Sequence, residues 1–287
     1  MNEIDVRELT KSYGKYKVLK GVTFSVPKGS VTGFVGPNGA GKTTTIKALA
    51  TLIRPDSGEV KLLGRNPFRD VSVMSRVSFV FTRLLYPSTD TVLEYLNDQA
   101  SLYGGDVRRL VDDFDLKPHL RKKLSELSSG LAQRVQLAAA LLKNPEVIIA
   151  DEPAANLDPQ ARNELYERIK ELNRKGVTFF ISSHILSELE RLVDRVVFIS
   201  EGRITFEGPL NRALEGKDEV YLLVSDPDRA MELLRQFNPR REGAYLVVGA
   251  DLGEAVSLLE GRGVKVIIAR RSSLDEAFKR YNRGEAG

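Results

Sequence analysis

Gly36-Pro37-Asn38-Gly39-Ala40-Gly41-Lys42-Thr43-Thr44 sets glycines, a lysine and hydroxyls at the spacing G-x-x-x-x-G-K-[ST]. Glycines so spaced let backbone N–H groups turn inward around a polyphosphate, and a helix start there adds a favourable partial charge. Lys42 can then reach the β- and γ-phosphates, and the Thr43 hydroxyl can ligate Mg²⁺. The pattern has this meaning only between a strand and a helix. Both are predicted: residues 31–35 read as a short buried strand, and the stretch TTIKALATLI from Thr44 has apolar residues at helical spacing. A nucleoside-triphosphate site is the implication.

A second group lies further along. Leu127-Ser128-Ser129-Gly130-Leu131 precedes the helical stretch AQRVQLAAALL, which Asn144-Pro145 breaks. Residues 146–150 read as a buried strand ending in Asp151-Glu152-Pro153, with Asn156-Leu157-Asp158 just after it. A strand over 177–182 leads to Ser182-Ser183-His184. Serine and glycine at a helix start fit an N-cap, and equally an anion site built from a hydroxyl and free N–H groups. Asp158 before Pro159 fits a helix cap.

The order of phosphate loop, serine–glycine helix start, strand-end acid pair, Asn-Leu-Asp and histidine resembles the nucleotide-binding subunits of ABC transporters, over roughly residues 3–210. The resemblance implies ATP and Mg²⁺ as ligands. It makes Asp151 the acid that holds Mg²⁺, directly or through water, and Glu152 the general base toward the attacking water. It gives His184 the role of bonding the γ-phosphate and orienting that water, and sets Tyr13, with Tyr16 as competitor, against adenine. Ser128 and Gly130 would face the γ-phosphate bound by an opposite subunit, and Asp158 would sit in the loop crossing that dimer interface. Two positions depart from the family pattern. Thr82 stands about where a metal-contacting Gln is usual, and the signature reads Ser-Ser-Gly-Leu, with Ser129 and Leu131 in place of Gly and Gln.

The elements that must position these residues follow from the pattern. Strands over 31–35, 77–81, 146–151, 177–182 and 195–200, separated by helical stretches, predict an α/β phosphate-loop NTPase core with a mostly parallel sheet. Alternation over 3–9, 17–26 and 58–63 adds an antiparallel portion, and residues 86–142 read as a helical subdomain. The apolar stretch 83–87 in front of it is a candidate socket for a membrane partner. The nucleotide-binding domain is set at 1–215 and a small C-terminal α/β domain of three βα units at 216–287. The end of that domain, SSLDEAFKRY, resembles the C-terminal extension of exporter-type subunits.

Composition narrows the function classes. The formal net charge is only +4, and residues 216–287 balance twelve basic against twelve acidic side chains, so no nucleic-acid partner is expected. No apolar run approaches the roughly 18–20 residues that cross a bilayer, and the first ten residues lack a signal-peptide core. The absence of cysteine excludes disulfides and thiolate metal sites and suits a reducing compartment. Together with the resemblance, the expectation is an ATPase that dimerises, as a homo- or heterodimer, around ATP at the cytoplasmic face of the membrane. There it would power transport, with export favoured, through a separate membrane-spanning subunit. The rivals are a soluble ABC-type ATPase acting on ribosomes or DNA and a regulatory nucleotide-binding module. The single phosphate loop and the absence of a heptad run between Lys42 and Ser128 count against the first, and Glu152 and His184 against the second.

Overall fold

Val31–Val35 (β3) and Val147–Asp151 (β6) are buried at every position, the mark of parallel strands covered on both faces. In the computed structural model, which describes residues 1–82, 89–214 and 219–282, they belong to a six-stranded sheet. Its other members are Val77–Val80 (β5), Thr178–Ser183 (β7), Arg195–Ser200 (β8) and Arg203–Pro209 (β9), and the order is β5-β6-β7-β3-β8-β9. The first five run parallel. In this register Val35 lies opposite Ser183 and Asp151 opposite Ser182. The loops leaving β3, β6 and β7 therefore open side by side at the carboxyl edge, where open α/β sheets bind ligands.

An antiparallel sheet of Asn2–Tyr13 (β1), Tyr16–Pro27 (β2) and Ser57–Leu62 (β4), in order β2-β1-β4, packs against this one. Phe24 of β2, Phe34 of β3 and Phe180 of β7 join the two, with ring centroids 5.1–5.5 Å apart in offset stacks.

Lys42–Leu49 (α1) follows β3, and Val92–Tyr103 (α2), Val107–Asp113 (α3) and Ser129–Leu141 (α4) fill the span between β5 and β6. Thr91 and Glu94 form a reciprocal capping box that fixes the start of α2. Pro159–Arg174 (α5) and the short Leu186–Leu189 (α6) follow β6 and β7. The candidate partner socket at 83–87 falls outside the described residues.

Two compact units result, Met1–Gly208 and Pro209–Gly287. The division comes earlier than the expected 215/216, because the helix Leu210–Leu214 (α7) goes with the second unit. There Arg280 donates to the Ala213 carbonyl at 2.9 Å.

The second unit also departs from three plain βα units. Glu219–Val224 (β10), Pro227–Leu233 (α8), Arg240–Glu242 (β11), Tyr245–Gly249 (β12), Leu252–Glu260 (α9), Val266–Arg271 (β13) and Leu274–Asn282 (α10) form a β-α-β-β-α-β arrangement and a closing helix. Its sheet is antiparallel, in order β11-β12-β10-β13. The sequence pattern misses β11 because Arg-Arg-Glu offers no apolar residue to alternate.

Candidate functional site

The loop from Gly36 to Lys42 is shaped by contacts that only glycine permits. A Cβ on Gly36 would lie 2.3 Å from the Ile199 carbonyl oxygen, and Gly41, at φ +111°, would drive one to 2.6 Å from Leu19. Gly41 precedes α1, and no side chain caps that helix start, so its first N–H groups are left for an anion. Pro37, Asn38 and Gly39 are exposed, Ala40 is buried, Thr43 is exposed and Thr44 half-buried. The Lys42 side chain is 5% exposed. Its ammonium donates to the Gly36 carbonyl at 2.7 Å and the Pro37 carbonyl at 3.3 Å, and lies 3.5 Å from Glu152 Oε1.

Glu152 reaches that position because the chain turns sharply after β6. Its φ is +49°, a left-handed conformation that costs a non-glycine residue about 1–2 kcal/mol. The Glu152 N–H donates to Ser182 Oγ at 2.9 Å, with the Ser182 carbonyl oxygen at 3.2 Å. Ser182 Oγ in turn donates to Asp151 Oδ1 at 2.7 Å, and both side chains are buried. The second Glu152 oxygen lies 2.9 Å from His184 Nδ1. Thr82, beyond the end of β5, donates its hydroxyl to the Asp151 backbone carbonyl at 2.9 Å.

The fold thus gathers the loop residues 36–44, Thr82, Asp151, Glu152 and His184 at one edge of the sheet. Ser128, Gly130 and Asp158 form a second locus. Ser128 caps α4 by accepting from the Leu131 N–H, and Ser129 donates its hydroxyl to the Asn156 carbonyl. A Cβ on Gly130 would meet Ala161 of α5 at 3.2 Å. Asp158 caps α5, accepting from the N–H groups of Gln160 and Ala161 at 3.0 Å each, and these bonds, led by that from Ala161, lower its pKa. Tyr13 and Tyr16 face each other across the β1–β2 turn, 50% and 68% exposed, an aromatic surface available for stacking. Among the described residues, no hydrogen bond or ion pair links Ser128 or Tyr13 to the Lys42–Glu152–His184 group.

Sequence reasoning passed over Ser182, Gln133 and Gln136. Gln136 accepts the Phe81 N–H at 3.3 Å and Gln133 donates to the Phe81 carbonyl at 3.4 Å, so α4 holds the chain just ahead of Thr82. The polar Ser182 directly after the apolar run Phe179-Phe180-Ile181 is the available signal, as are two glutamines on a helix that buries both.

The oxygen donors suit Mg²⁺. Asp151 supplies one carboxylate and Thr43 an exposed hydroxyl, and no cluster of three or more His, Cys, Asp or Glu occurs among the described residues. Mg²⁺ is ordinarily held by one or two protein oxygens, water and substrate phosphates, and not by an all-protein cage.

The family model described as ABC transporter matches residues 19–155. Nod factor export ATP-binding protein I of Burkholderia orbicola (strain AU 1054) is 34% identical over 294 residues, covering 96% of this chain and 96% of that protein. The chain belongs to the ABC transporter ATP-binding family. This ABC ATPase is also 36% identical to the bacitracin transport ATP-binding protein of Bacillus licheniformis over 241 residues, 81% of this chain and 78% of that one. Among solved structures, the ATP-binding subunit of an ABC transporter superposes with a TM-score of 0.67 at 29% identity, covering 89% of this chain and 98% of that one. As a member of the family, the chain binds ATP and couples its hydrolysis to transport through a membrane-spanning partner.

Proposed function

We propose that two nucleotide-binding subunits, two copies of this chain or one with a related chain, close around two ATP molecules and drive export through that partner. The observation that carries the catalytic part is Glu152, held 2.9 Å from His184 Nδ1 and 3.5 Å from Lys42 Nζ at the mouth of the phosphate loop. Export is supported by the relative named for Nod factor export, which matches along nearly its whole length. The site of action is then the cytoplasmic face of the membrane. No helix among the described residues is long and apolar enough to cross it, so attachment falls to the partner.

Glu152 takes a proton from water as the water oxygen attacks the γ-phosphorus, and the bond to the bridging oxygen breaks, leaving ADP and phosphate. His184 holds the Glu152 carboxylate through Nδ1, which keeps its ring beside the γ-phosphate and the attacking water. Lys42 and the α1 N–H groups offset charge on the phosphoryl oxygens. Thr43 and Asp151 would hold Mg²⁺, which supplies electrostatic stabilisation of the β- and γ-phosphates. Tyr13 stacks on the base. The Ser128–Gly130 turn of the opposing subunit closes the site from across the interface, with the loop ending at Asp158 beside it.

ATPase assays of Glu152→Gln and His184→Ala, paired with ATP binding, test the reading. Loss of turnover with retained binding is expected, and wild-type turnover in both variants would contradict it.

A further inference from the structure

We infer that Ser182 is a positioning residue for both acids of the site. Its one hydroxyl fixes the Asp151 carboxylate and, at the same time, the turn that aims Glu152. The inference rests on the proposed roles of Asp151 and Glu152 and assigns what keeps them in place.

Ser182 lies directly opposite Asp151 in the parallel β6–β7 register. It is fully buried, so neither of its hydrogen bonds competes with water. Its proton goes to Asp151 Oδ1 at 2.7 Å, and one lone pair accepts the Glu152 N–H at 2.9 Å, the shorter of the two bonds that N–H makes, the other being to the Ser182 carbonyl at 3.2 Å. A hydroxyl that donates to one group and accepts from the next sets the two relative to each other. Among the described residues no other side chain hydrogen-bonds the Asp151 carboxylate, so its other oxygen is directed by this single bond. The Glu152 turn needs the anchor equally, because a φ of +49° is unfavourable for glutamate and must be held by its surroundings. An extended residue at 152 would continue the strand and send its carboxylate away from Lys42 and His184.

Hydrogen bonds to a metal-ligating carboxylate orient it, and their removal commonly costs 10- to 100-fold in metal affinity. Ser182→Ala removes one buried oxygen with little change of volume. Ser182→Thr keeps the hydroxyl and adds a methyl of the kind strands accept. The experiment measures Mn²⁺ binding by electron paramagnetic resonance on the full-length chain with a non-hydrolysable ATP analogue. Analogue affinity in EDTA and thermal unfolding are recorded alongside.

Ser182→Ala is expected to lower Mn²⁺ affinity about 10- to 100-fold and Ser182→Thr to stay within about threefold of wild type. Metal-free analogue affinity should be unchanged in both. A Ser182→Ala protein with wild-type Mn²⁺ affinity, and only a lower melting temperature, overturns the inference. Asp151→Asn separates this failure from that of the underlying reading. If it too leaves Mn²⁺ affinity intact, Asp151 is not the metal-facing acid and both readings fall.

Discussion

His184 Nδ1 and Glu152 Oε2 lie 2.9 Å apart, although the two residues, each just past the end of one of two neighbouring strands, are 32 positions apart in sequence. The contact orients a carboxylate whose other oxygen already faces Lys42. Replacing His184 with alanine should lower turnover about 10²-fold or more, the scale on which positioned acid–base and electrostatic groups act. ATP affinity should change little. Steady-state ATPase together with equilibrium ATP binding checks this, and a loss confined to binding would contradict it.

Lys42→Ala should act the other way and weaken ATP binding itself. Hydrogen bonds to charged groups contribute about 1.5–3 kcal/mol each, so a loss of about 10- to 100-fold in affinity is expected by calorimetric titration. Unchanged affinity would contradict the assigned geometry of the loop around Gly36 and Gly41.

Thr82 tests the most unusual position of the site. Its hydroxyl proton is committed to the Asp151 carbonyl, and we propose that its short side chain occupies the position where the family pattern has a longer one. Thr82→Gln should therefore shift the Mg²⁺ dependence of ATPase, with a lower half-saturating concentration, because an amide oxygen reaches further toward the metal. Superimposable Mg²⁺ titrations of wild type and variant would exclude this position as a metal contact.

The core was legible because its signals are local. Gly36 to Lys42 marks its own turn, and Ser128 marks a helix start that the structure keeps. Less legible were features fixed by partners distant in sequence. The bond from Ser182 to Asp151 depends on two strands becoming neighbours, so a polar residue at the end of β7 is visible in the sequence but its partner is not. The grip of Gln133 and Gln136 on Phe81 is of the same kind. β11 carries no sequence signal because its three charged residues form a strand only through pairing with β12, and the sequence pattern places α7 in the first domain because its partner, Arg280, lies at the far end of the chain.

In the second unit, Arg270 lies over the rings of Tyr221 and Tyr245 at 4.7 and 5.1 Å and pairs with Glu276 at 2.8 Å. Burial pushes the Glu276 carboxyl up, but the bonds from Arg270 and Ser273 outweigh it and bring its pKa to about 2. A carboxyl depressed on folding stabilises above its unfolded pKa of about 4.3, and that contribution is lost as pH falls toward 2. Glu276→Gln should thus be less stable than wild type at neutral pH, with the gap closing below about pH 4. Denaturant unfolding followed between pH 2 and 7 checks this, and a gap independent of pH would contradict it.

The most direct measurement is the mass and nucleotide content of Glu152→Gln in Mg²⁺ and ATP, by size-exclusion chromatography with light scattering. Without its base, the protein should form a stable dimer holding two unhydrolysed ATP molecules, with turnover lowered about 10²-fold or more. A monomer that turns over ATP within a few-fold of wild type would contradict both the catalytic role of Glu152 and the ATP-bridged dimer.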